Sequence, residues 1–393
     1  MKLLKKIFQG ASSKPAMKFT IERTFLLKTL SHMQSIVEKR DPKKRYTIPV
    51  LSNVKIEAKG NMISFNATDM DIEITELVEA KISGEGSTTV PAHMLYDIVQ
   101  KFPDGSNIEF TYPNDNCTLS LTSGCYEFSL FTIGAEDFPA IPKDTLPINF
   151  EINKDELKTL IDRTQFSAGV KEDRDYLNGL YIHSKAPVLR FVTTDGHRLA
   201  CAESPLPKGA EEITKKLGDV IIPNKSVLEI RKLLDDASTE NVSIALSENK
   251  VRISFENVTL TSKLIDASFP DYERVIPTNN DKILEVNTKE LLTAIDHISV
   301  ITEKNSCIRL TTDTNRIIIT ASNNELGNAT TKINAKYDNE SIDIGYNFHY
   351  LLDILTQIKG NKVRFSLLNS SAATVINDTS DNSAIYVLMP MRA

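Results

Sequence analysis

Apolar residues recur at helical spacing near the start of three segments of the chain. In the second of these segments, the apolar face of the predicted helix comprises Leu157, Leu160 and Ile161. This face begins four residues after Asn153. Asn153 is a candidate N-cap, and Glu156 stands three residues later, as in a capping box. Because this spacing places the apolar side chains on one side of a helix, we interpret the face as core packing.

The first and third segments repeat the pattern. In the third segment, Asn287 is the candidate cap and Glu290 its capping-box partner. The apolar face of that helix comprises Leu291, Leu292, Ile295 and Ile298. The corresponding face in the first segment comprises Leu26, Leu30, Met33 and Val37. Three similar helices therefore open three similar stretches of sequence.

Strands and a second helix follow each opening helix. Runs rich in β-branched and aromatic residues, such as 189–194 and 317–320, are typical of strands. The second helix is predicted from apolar faces at Val227, Ile230, Leu233 and Leu234 in the second segment, and at Leu351, Leu352, Leu355 and Ile358 in the third. Strand, helix, strands, helix and strands predict an α+β unit with two helices packed on antiparallel sheet.

The three segments are repeats of a whole domain. They open at Phe19, Phe150 and Leu284, and a spacing of about 130 residues is that of a domain rather than of a solenoid unit. We predict domains at 17–138, 148–269 and 283–393, after a disordered N-terminal extension at 1–16. The proline-bearing stretches 139–147 and 270–277 read as extended connectors.

Charge and cysteine content narrow the classes of function. With 46 basic and 52 acidic residues, the net charge of −6 argues against nucleic-acid binding through the whole surface, although a local basic face is compatible with it. The cysteines have no metal-site spacing, so we expect free thiols in a cytoplasmic protein. They are Cys117, Cys125, Cys201 and Cys307. No stretch is long and apolar enough for a membrane span or a secretory signal.

No set of residues with the spacing of a known catalytic site emerges. Asp195 and His197, in the string 193–199, could orient one another for acid–base work, but no nucleophile or oxyanion donor accompanies them. A polar turn is the favoured interpretation. Asp69, Asp71 and Glu73 alternate, and on a strand they would share one solvated face rather than hold a metal. We expect no cofactor and no metal.

Several strings resemble the bacterial sliding clamp family, the β subunit of DNA polymerase III. They are TDGHRLA at 194–200, FPDYERVIP at 269–277, YVLMPMR at 386–392, MKFTIER at 17–23 and YLNG at 176–179. The resemblance covers 17–393. It implies three repeated DNA-clamp domains forming half of a closed ring. A head-to-tail homodimer would then encircle duplex DNA, with the helices lining the hole.

The resemblance also implies a non-catalytic processivity factor, any polymerase or 3'-5' exonuclease activity residing elsewhere in the holoenzyme. The implied partners are primed duplex DNA, the replicative polymerase catalytic subunit, the clamp loader, other polymerases and mismatch-repair proteins. Its implied location is the cytoplasm, at the nucleoid. The proteins would insert short linear peptides into an apolar pocket. The implied pocket residues are Leu177, Thr194, Gly196, His197, Arg198, Leu199, Pro270, Arg274, Val275, Thr374, Val387, Met389, Pro390, Met391 and Arg392.

The implied DNA contacts lie on loops and helices, and all but Tyr176 are basic. The loop residues are Arg45, Lys171, Arg174 and Tyr176. Candidates for the helices are Lys28, Lys154, Lys158, Arg163, Lys225, Lys232 and Lys359, each of which could equally belong to an ordinary solvated face. The chain departs from the enterobacterial pattern at Asp175, His93, Met94 and Asn224, where aromatic or basic residues are usual.

The implied dimer contacts are apolar. Phe128 would lie on a late strand of the first domain, and Val300 and Ile301 would follow the first helix of the third. Simple core burial is an equal alternative for these three residues. Two other functions stay open at this point: an enzyme using Asp195 and His197, and a protein-binding repeat scaffold that does not encircle DNA.

Overall fold

The computed structural model describes residues 17–38, 48–113, 117–139, 141–142, 144–302, 307–323 and 325–391. The chain forms two compact units. Of the described residues, unit one contains those up to 146, together with 235–244 and 250–263. Unit two contains 147–234, 245–249 and the chain from 264 onward. Among the described residues, no helix is long and apolar enough to cross a membrane.

The predicted alternation of helices and strands is confirmed in all three repeats. The helices are α1 (Arg23–Ile36), α2 (Ala92–Lys101), α3 (Lys154–Asp162), α4 (Ile213–Leu217), α5 (Asn224–Asp236), α6 (Thr288–Ser299) and α7 (Phe348–Leu355). The second repeat carries the additional short helix α4 between its strands.

The strands of the first repeat are β1 (Met17–Glu22), β2 (Asn53–Lys59), β3 (Met62–Thr68), β4 (Ile72–Glu79), β5 (Lys81–Gly84), β6 (Gly86–Pro91), β7 (Asn107–Tyr112), β8 (Thr118–Ser123) and β9 (Tyr126–Phe131). Those of the second are β10 (Ile148–Asn153), β11 (Gly179–Lys185), β12 (Val188–Thr194), β13 (Arg198–Pro205), β14 (Val220–Pro223), β15 (Asn241–Leu246), β16 (Lys250–Phe255) and β17 (Val258–Lys263). Those of the third are β18 (Lys282–Asn287), β19 (Cys307–Asp313), β20 (Arg316–Asn323), β21 (Gly327–Lys336), β22 (Asp343–Asn347), β23 (Lys362–Leu367), β24 (Thr374–Asp378) and β25 (Ala384–Leu388).

Unit one contains a five-stranded sheet in the order β5-β1-β7-β8-β9. In a second sheet, β16, β17, β4, β3, β2 and β6 follow one another, each pair antiparallel. Phe19 of β1 and Phe110 of β7 stack with their centroids 4.6 Å apart in the core of this unit. Strand β9 is the edge of its sheet, and nearly all of its side chains are exposed.

Unit two contains one twelve-stranded sheet, in the order β14-β11-β12-β13-β25-β24-β23-β18-β21-β20-β19-β22. Strand β13 pairs with β25, so that the last strand of the third repeat lies beside a strand of the second. Leu199 is opposite Val387 in this register. The pairing brings the strings 194–200 and 386–392, distant in sequence, to neighbouring positions.

The helix caps explain where the helices begin. Asn153 accepts hydrogen bonds from the backbone N–H groups of Asp155 and Glu156, and Asn287 accepts one from Glu290. Such caps stabilise a helix by about 1 kcal/mol each. In the third repeat Asn347 performs the same role before α7, accepting from His349 and Tyr350.

The predicted apolar faces are buried with two exceptions. Leu292 and Leu352, placed on the inner faces by their spacing, are only partly buried. On α7 the buried position is Ile354 instead, together with Leu351 and Leu355. The i, i+3, i+4 pattern was ambiguous there because Leu and Ile residues occupy more than one helical face.

The placement of Asp69, Asp71 and Glu73 on a single strand face is wrong. Asp69 and Asp71 lie in the turn between β3 and β4, and only Glu73 belongs to β4. Asp69 accepts hydrogen bonds from the backbone N–H groups of Asp71 and Ile72, and Asp71 pairs with Lys263 at 3.0 Å. Glu73 accepts one from the N–H of Ile141, at 2.7 Å. The three carboxylates therefore have separate structural roles.

The expectation of free thiols is confirmed. Cys117 and Cys125 are exposed, Cys307 is partly buried, and Cys201 is buried, all without a disulfide. Burial raises the pKa of the Cys201 thiol to about 11. No group of His, Cys, Asp and Glu side chains in the described part of the chain is arranged to hold a metal ion.

Candidate functional site

Unit two contains an apolar cavity of about 250 Å³, which we call the partner pocket. Its lining residues are Arg174, Tyr176, Leu177, Thr194, Gly196, His197, Arg198, Leu199, Pro270, Tyr272, Val275, Val387 and Met389. They come from the end of β12, the start of β13 and the turn between these strands, and from the end of β25 with the residue that follows it. The others lie in, or just before, the short helices at Asp175–Asn178 and Tyr272–Val275. Aliphatic side chains with a few polar groups at the margin are typical of small-ligand and peptide sites.

The turn at 194–198 forms one side of this pocket. Thr194 Oγ1 donates to the carbonyl of Arg198 at 2.7 Å, and Asp195 Oδ1 accepts from the N–H groups of His197 and Arg198, both at 2.9 Å. Gly196 has φ = 86°, a conformation that a side chain disfavours. The side chain of Asp195 is thus committed to the turn, which contradicts a role for it as the partner of His197 in acid–base catalysis.

Arg198 is fixed by several contacts. Its guanidinium pairs with Asp195 at 3.0 Å and Asp353 at 2.6 Å, and donates to the carbonyl of Phe166 at 2.7 Å. Its Cζ lies 4.2 Å from the ring centroid of Tyr350. A buried guanidinium with this many partners is a rigid wall of the pocket, because moving it would leave Asp195 unpaired.

His197 and Met389 join the two ends of the site. The N–H of Met389 donates to the carbonyl of His197 at 2.9 Å, and the His197 ring lies over Tyr350 with centroids 6.4 Å apart. His197 and Met389 are both exposed. An exposed methionine beside an imidazole gives a surface that can adapt to more than one apolar side chain.

Four residues expected in the pocket do not line it. Thr374 is fully buried and bonds Tyr346 Oη at 2.7 Å. Pro390 and Met391 line a separate cleft of about 600 Å³ with Arg309, Asp343, Gly345, Ser370 and Ser371. Arg274 pairs with Asp271 at 2.8 Å, and its side chain points largely into solvent. A fifth, Arg392, lies outside the described residues.

Three residues line the pocket although they were not expected there. Tyr272 lies in the string FPDYERVIP at 269–277, but the resemblance does not imply a pocket role for its ring. Arg174 and Tyr176 were assigned to DNA, yet both line the pocket, where Arg174 Cζ lies 5.8 Å from the Tyr176 ring centroid. An aromatic residue two positions after Pro270 was the available signal for Tyr272, since aromatics dominate interface contacts.

The remaining predicted DNA contacts within the described residues are exposed. Lys171 is exposed in a loop with φ = 59°, and Lys225 is exposed near the start of α5. Arg45 lies outside the described residues. Asp175 opens the short helix at Asp175–Asn178, and Asn224 is the first residue of α5.

Several helix residues with basic side chains already have protein partners. Arg163 donates to Ser383 Oγ and pairs with Asp381, both at 2.6 Å, and is mostly buried. Burial alone would raise the pKa of Asp381, but hydrogen bonds from Ser383 and Arg163, with the Arg163 charge, lower it to about 2. Lys28 donates to the carbonyl of Asp236, and Lys232 pairs with Glu229. Arg163 therefore has a structural role, in which it links the end of α3 to Asp381 and Ser383, rather than that of a surface cation.

The three predicted dimer residues differ in exposure. Phe128 on the edge strand β9 is partly exposed and packs edge-on against Phe102 with centroids 5.7 Å apart. Val300 is 77% exposed just after α6, whereas its neighbour Ile301 is partly buried. An exposed valine beside a helix end, and an edge strand with exposed aromatics, are not explained by core burial.

Three repeats of one α+β unit, carrying an apolar pocket with arginines at its margin, define a repeat-built recognition protein. Three family models match in succession: the N-terminal domain of the DNA polymerase III beta subunit at residues 17–142, its central domain at 151–271 and its C-terminal domain at 273–392.

Similar proteins extend over the whole of this match. The beta sliding clamp of Caulobacter vibrioides (strain NA1000 / CB15N) is 42% identical over 381 residues, covering 96% of this chain and 100% of that protein. That of Vibrio cholerae is 35% identical over 378 residues, with 96% and 100% covered.

Solved structures agree. The beta sliding clamp of C. crescentus, with PEG bound to a putative beta-motif tethering region, superposes with a TM-score of 0.91 at 41% identity, covering 97% of this chain and 100% of that one. A sliding clamp from Bartonella birtlesii bound to griselimycin gives 0.90 at 38% identity, covering 96% and 100%. The chain belongs to the DNA polymerase III beta subunit family, the beta sliding clamps.

Proposed function

We propose that this chain is a DNA sliding clamp: a processivity factor that encircles duplex DNA as a head-to-tail homodimeric ring and tethers the replicative polymerase to its template. The observation that carries the proposal is the unbroken run of three family matches over the three repeats. Repetition suits this function, because a closed ring is built from similar domains related by similar rotations.

The charge of the chain is compatible with enclosure of DNA. Topological enclosure does not require tight binding, and an overall acidic protein disfavours side-on adhesion to phosphates. The proposed domains are 17–138, 148–269 and 283–393, preceded by the extension 1–16. The protein acts in the cytoplasm at the nucleoid, has no catalytic activity of its own, and uses no cofactor.

The partner pocket is the proposed docking site for linear peptides of the polymerase catalytic subunit, the clamp loader, other polymerases and mismatch-repair proteins. Support comes from its apolar lining with arginine and histidine at the margin, since these can hydrogen-bond a peptide backbone. Structures of relatives bound to griselimycin, and to PEG at a putative tethering region, are consistent with this use of the fold.

A loading assay on nicked circular DNA tests the encirclement. After loading and removal of free protein, the circle is linearised with a restriction enzyme and the bound clamp is followed by gel filtration. A ring slides off the ends, so retained protein should be released on cutting but not on mock treatment. Protein that stays bound to the linear DNA would contradict the ring. Failure to load would favour a scaffold that binds proteins alone.

The DNA-contact residues can be tested by substitution. Arg45→Ala and Lys171→Ala should each weaken binding to primed DNA by several-fold in a fluorescence titration, because each removes a phosphate contact. Lys263→Ala, which breaks only the pair with Asp71, serves as the charge-matched control. Unchanged affinity and loading in both loop variants would remove these residues from the DNA site.

The dimer contacts can be tested separately. Phe128→Glu and Ile301→Glu should convert the dimer into folded monomers in sedimentation velocity runs, because a buried unpaired charge opposes association. Val300→Glu should act in the same direction. Phe25→Glu, at an exposed position on α1, is the control. Dimers that persist in folded variants would exclude the proposed interface.

The pocket can be tested by removing residues 389–393. The truncated chain should lose binding of griselimycin in calorimetry, because Met389 lines the pocket, while its dimer persists. Retained binding at the affinity of the full chain would argue against the pocket as the docking site.

A further inference from the structure

Tyr272 separates two cavities of unit two. It lines the partner pocket, and it also lines a second cavity of about 290 Å³ together with Arg190, Glu203 and Glu273. We call this second space the rear cavity. Tyr272 is almost fully buried, so one side chain is a wall common to both spaces.

Two polar side chains hold the Tyr272 hydroxyl, and one of them, Arg190, lines the rear cavity. His183 Nε2 lies 2.8 Å from it, and Arg190 Nη1 lies 3.3 Å from it. Because a guanidinium only donates, the Tyr272 oxygen accepts from Arg190, and its own proton is free for His183. Burial, and then the charge of Arg190, lower the pKa of His183, so at pH 7 its neutral ring can accept that proton at Nε2.

Arg190 is itself fixed in place. Its Nε donates to Glu203 at 3.0 Å, and its Nη1 donates to Glu273 at 2.7 Å. Glu273 also accepts a hydrogen bond from Lys185 at 2.6 Å. Lys185 itself makes no hydrogen bond to Tyr272. A guanidinium braced by two carboxylates has little freedom, so the hydroxyl that it contacts is held firmly as well.

An aromatic stack gives the same tyrosine lateral support. The His183 ring stacks on Tyr181 at 5.0 Å, and Tyr181 stacks on Phe269 at 4.5 Å. Phe269 contacts Tyr272 edge-on at 6.4 Å and the pocket residue Tyr176 at 6.1 Å. His183 thus takes part in both the hydrogen bond to Tyr272 and the stack beneath the pocket.

We propose that Arg190 and His183 are positioning residues of the partner pocket: neither lines it, and both act by holding Tyr272 where a docked ligand needs it. The proposal rests on the proposed function of that pocket. Preorganised side chains bind better because less freedom is lost on binding. Loosening Tyr272 should therefore weaken ligand binding without altering any other residue of the pocket lining.

A double-mutant cycle tests this inference, with griselimycin as the probe in isothermal titration calorimetry. Tyr272→Phe keeps the ring in the pocket wall and removes the hydroxyl. It should weaken binding by about five-fold, the size expected for one net hydrogen bond. Arg190→Gln should weaken it to a similar extent. The combination should bind no more weakly than Tyr272→Phe alone, since Arg190 acts only through the hydroxyl.

Controls separate positioning from general damage. Lys185→Gln breaks the adjacent pair with Glu273 but leaves Tyr272 untouched, so its affinity should equal that of the unaltered chain. Thermal melts check the fold of every variant. If Arg190→Gln does not fold, His183→Phe completes the same cycle with Tyr272→Phe, because it removes the hydrogen bond to Tyr272 and keeps an aromatic ring against Tyr181.

The outcomes are distinguishable. Binding by the unaltered chain with losses that add in the double variant would overturn the positioning role and leave the pocket intact. Single variants that bind as well as the unaltered chain would do the same. No binding by the unaltered chain would overturn the pocket, and with it the role of Arg190 and His183.

Discussion

The turn at 68–72 in the first repeat and the turn at 194–198 in the second have the same backbone and different uses. Thr68 and Thr194 each donate to the carbonyl four residues later, at 2.8 and 2.7 Å. Asp69 and Asp195 each accept hydrogen bonds from the N–H groups two and three residues later. Even the positive φ is shared, 78° at Met70 and 86° at Gly196.

The side chains after the shared aspartate create the difference. In the second repeat His197 and Arg198 border the partner pocket. In the first repeat the same places hold Asp71, which pairs with Lys263, and Ile72, which is buried. The turn is thus a structural device of the repeat, and the side chains at its last two positions decide whether it borders a pocket or only closes a hairpin.

Among the substitutions that test the difference between the two turns, Arg198→Met should have the largest effect. It leaves the partly buried Asp195 without its cation, which should cost about 3 kcal/mol of unfolding free energy and abolish griselimycin binding. Urea unfolding and calorimetry measure the two effects. Asp71→Ala in the first repeat removes only an exposed pair and should cost less than about 0.5 kcal/mol. Equal losses from both would show that the turns do not differ.

Glu73→Ala should have the next largest effect. It removes a carboxylate that accepts the N–H of Ile141, an interaction of about 2 kcal/mol, so exchange of that amide with solvent should accelerate roughly 30-fold. Hydrogen exchange with mass spectrometry of the connector gives the measurement. Glu57→Ala, which loses an exposed contact with Lys55, is the control. If the amides of the connector exchange at the same rate as in the unaltered chain, Glu73 does not anchor the connector.

A pH dependence is expected at His32, which has no counterpart in the pocket. Its Nδ1 lies 2.8 Å from Glu76 and its Nε2 3.0 Å from Asp236, with Lys28 close by on the carbonyl of Asp236. Burial alone would lower the pKa of His32, but the hydrogen bonds and charges of Glu76, and then of Asp236, raise it.

Because the folded pKa exceeds the unfolded value near 6.5, the stabilisation is complete below that value. It declines as the pH rises through the folded pKa. His32→Gln should lower the unfolding free energy by roughly 1–2 kcal/mol at pH 6, and by less at pH 9. Urea titrations of both proteins at the two pH values test this. A difference that grows with pH would reverse the sign and reject the assignment.

The smallest expected effect concerns the shared positive φ. Gly196→Ala places a methyl group where L residues are strained, and its Cβ would lie 3.1 Å from Arg174 Nη2, so stability should fall by about 1 kcal/mol. Met70→Gly should relax the same strain in the first repeat and raise the melting temperature slightly. The two thermal shifts should have opposite signs. Shifts of the same sign would show that the turns are not strained alike.

The repeat organisation was predictable because it depends on local pattern. Asparagine caps at Asn153 and Asn287, and apolar faces at helical spacing, define elements whose geometry is set within a few residues. Leu352 was misplaced for the same reason: a helix that is apolar on several sides gives no unique inner face. The turn at 68–72 was misjudged because alternation of charge resembles a strand.

The pocket was predictable only in part, and only through resemblance. Thr194, Gly196 and Leu199 line it as expected, but Thr374 is buried in a hydrogen bond with Tyr346, and Pro390 faces another cleft. Which way a side chain near a strand end points depends on strand pairing, here β13 with β25. No local sequence pattern predicts the contacts that Tyr272 makes with Arg190 and His183, because these residues are far apart in the chain.

By itself the sequence determined three α+β repeats, their family, and the absence of a recognisable catalytic set, since these depend on periodicity and on motifs of adjacent residues. Only the tertiary structure decided that Arg174 and Tyr176 line the pocket. It also decided that Arg163 forms an ion pair with Asp381 and that the Tyr272 hydroxyl is hydrogen-bonded by a residue outside the pocket. Such contacts join residues far apart in the chain, and their geometry exists only once the sheet of unit two has formed.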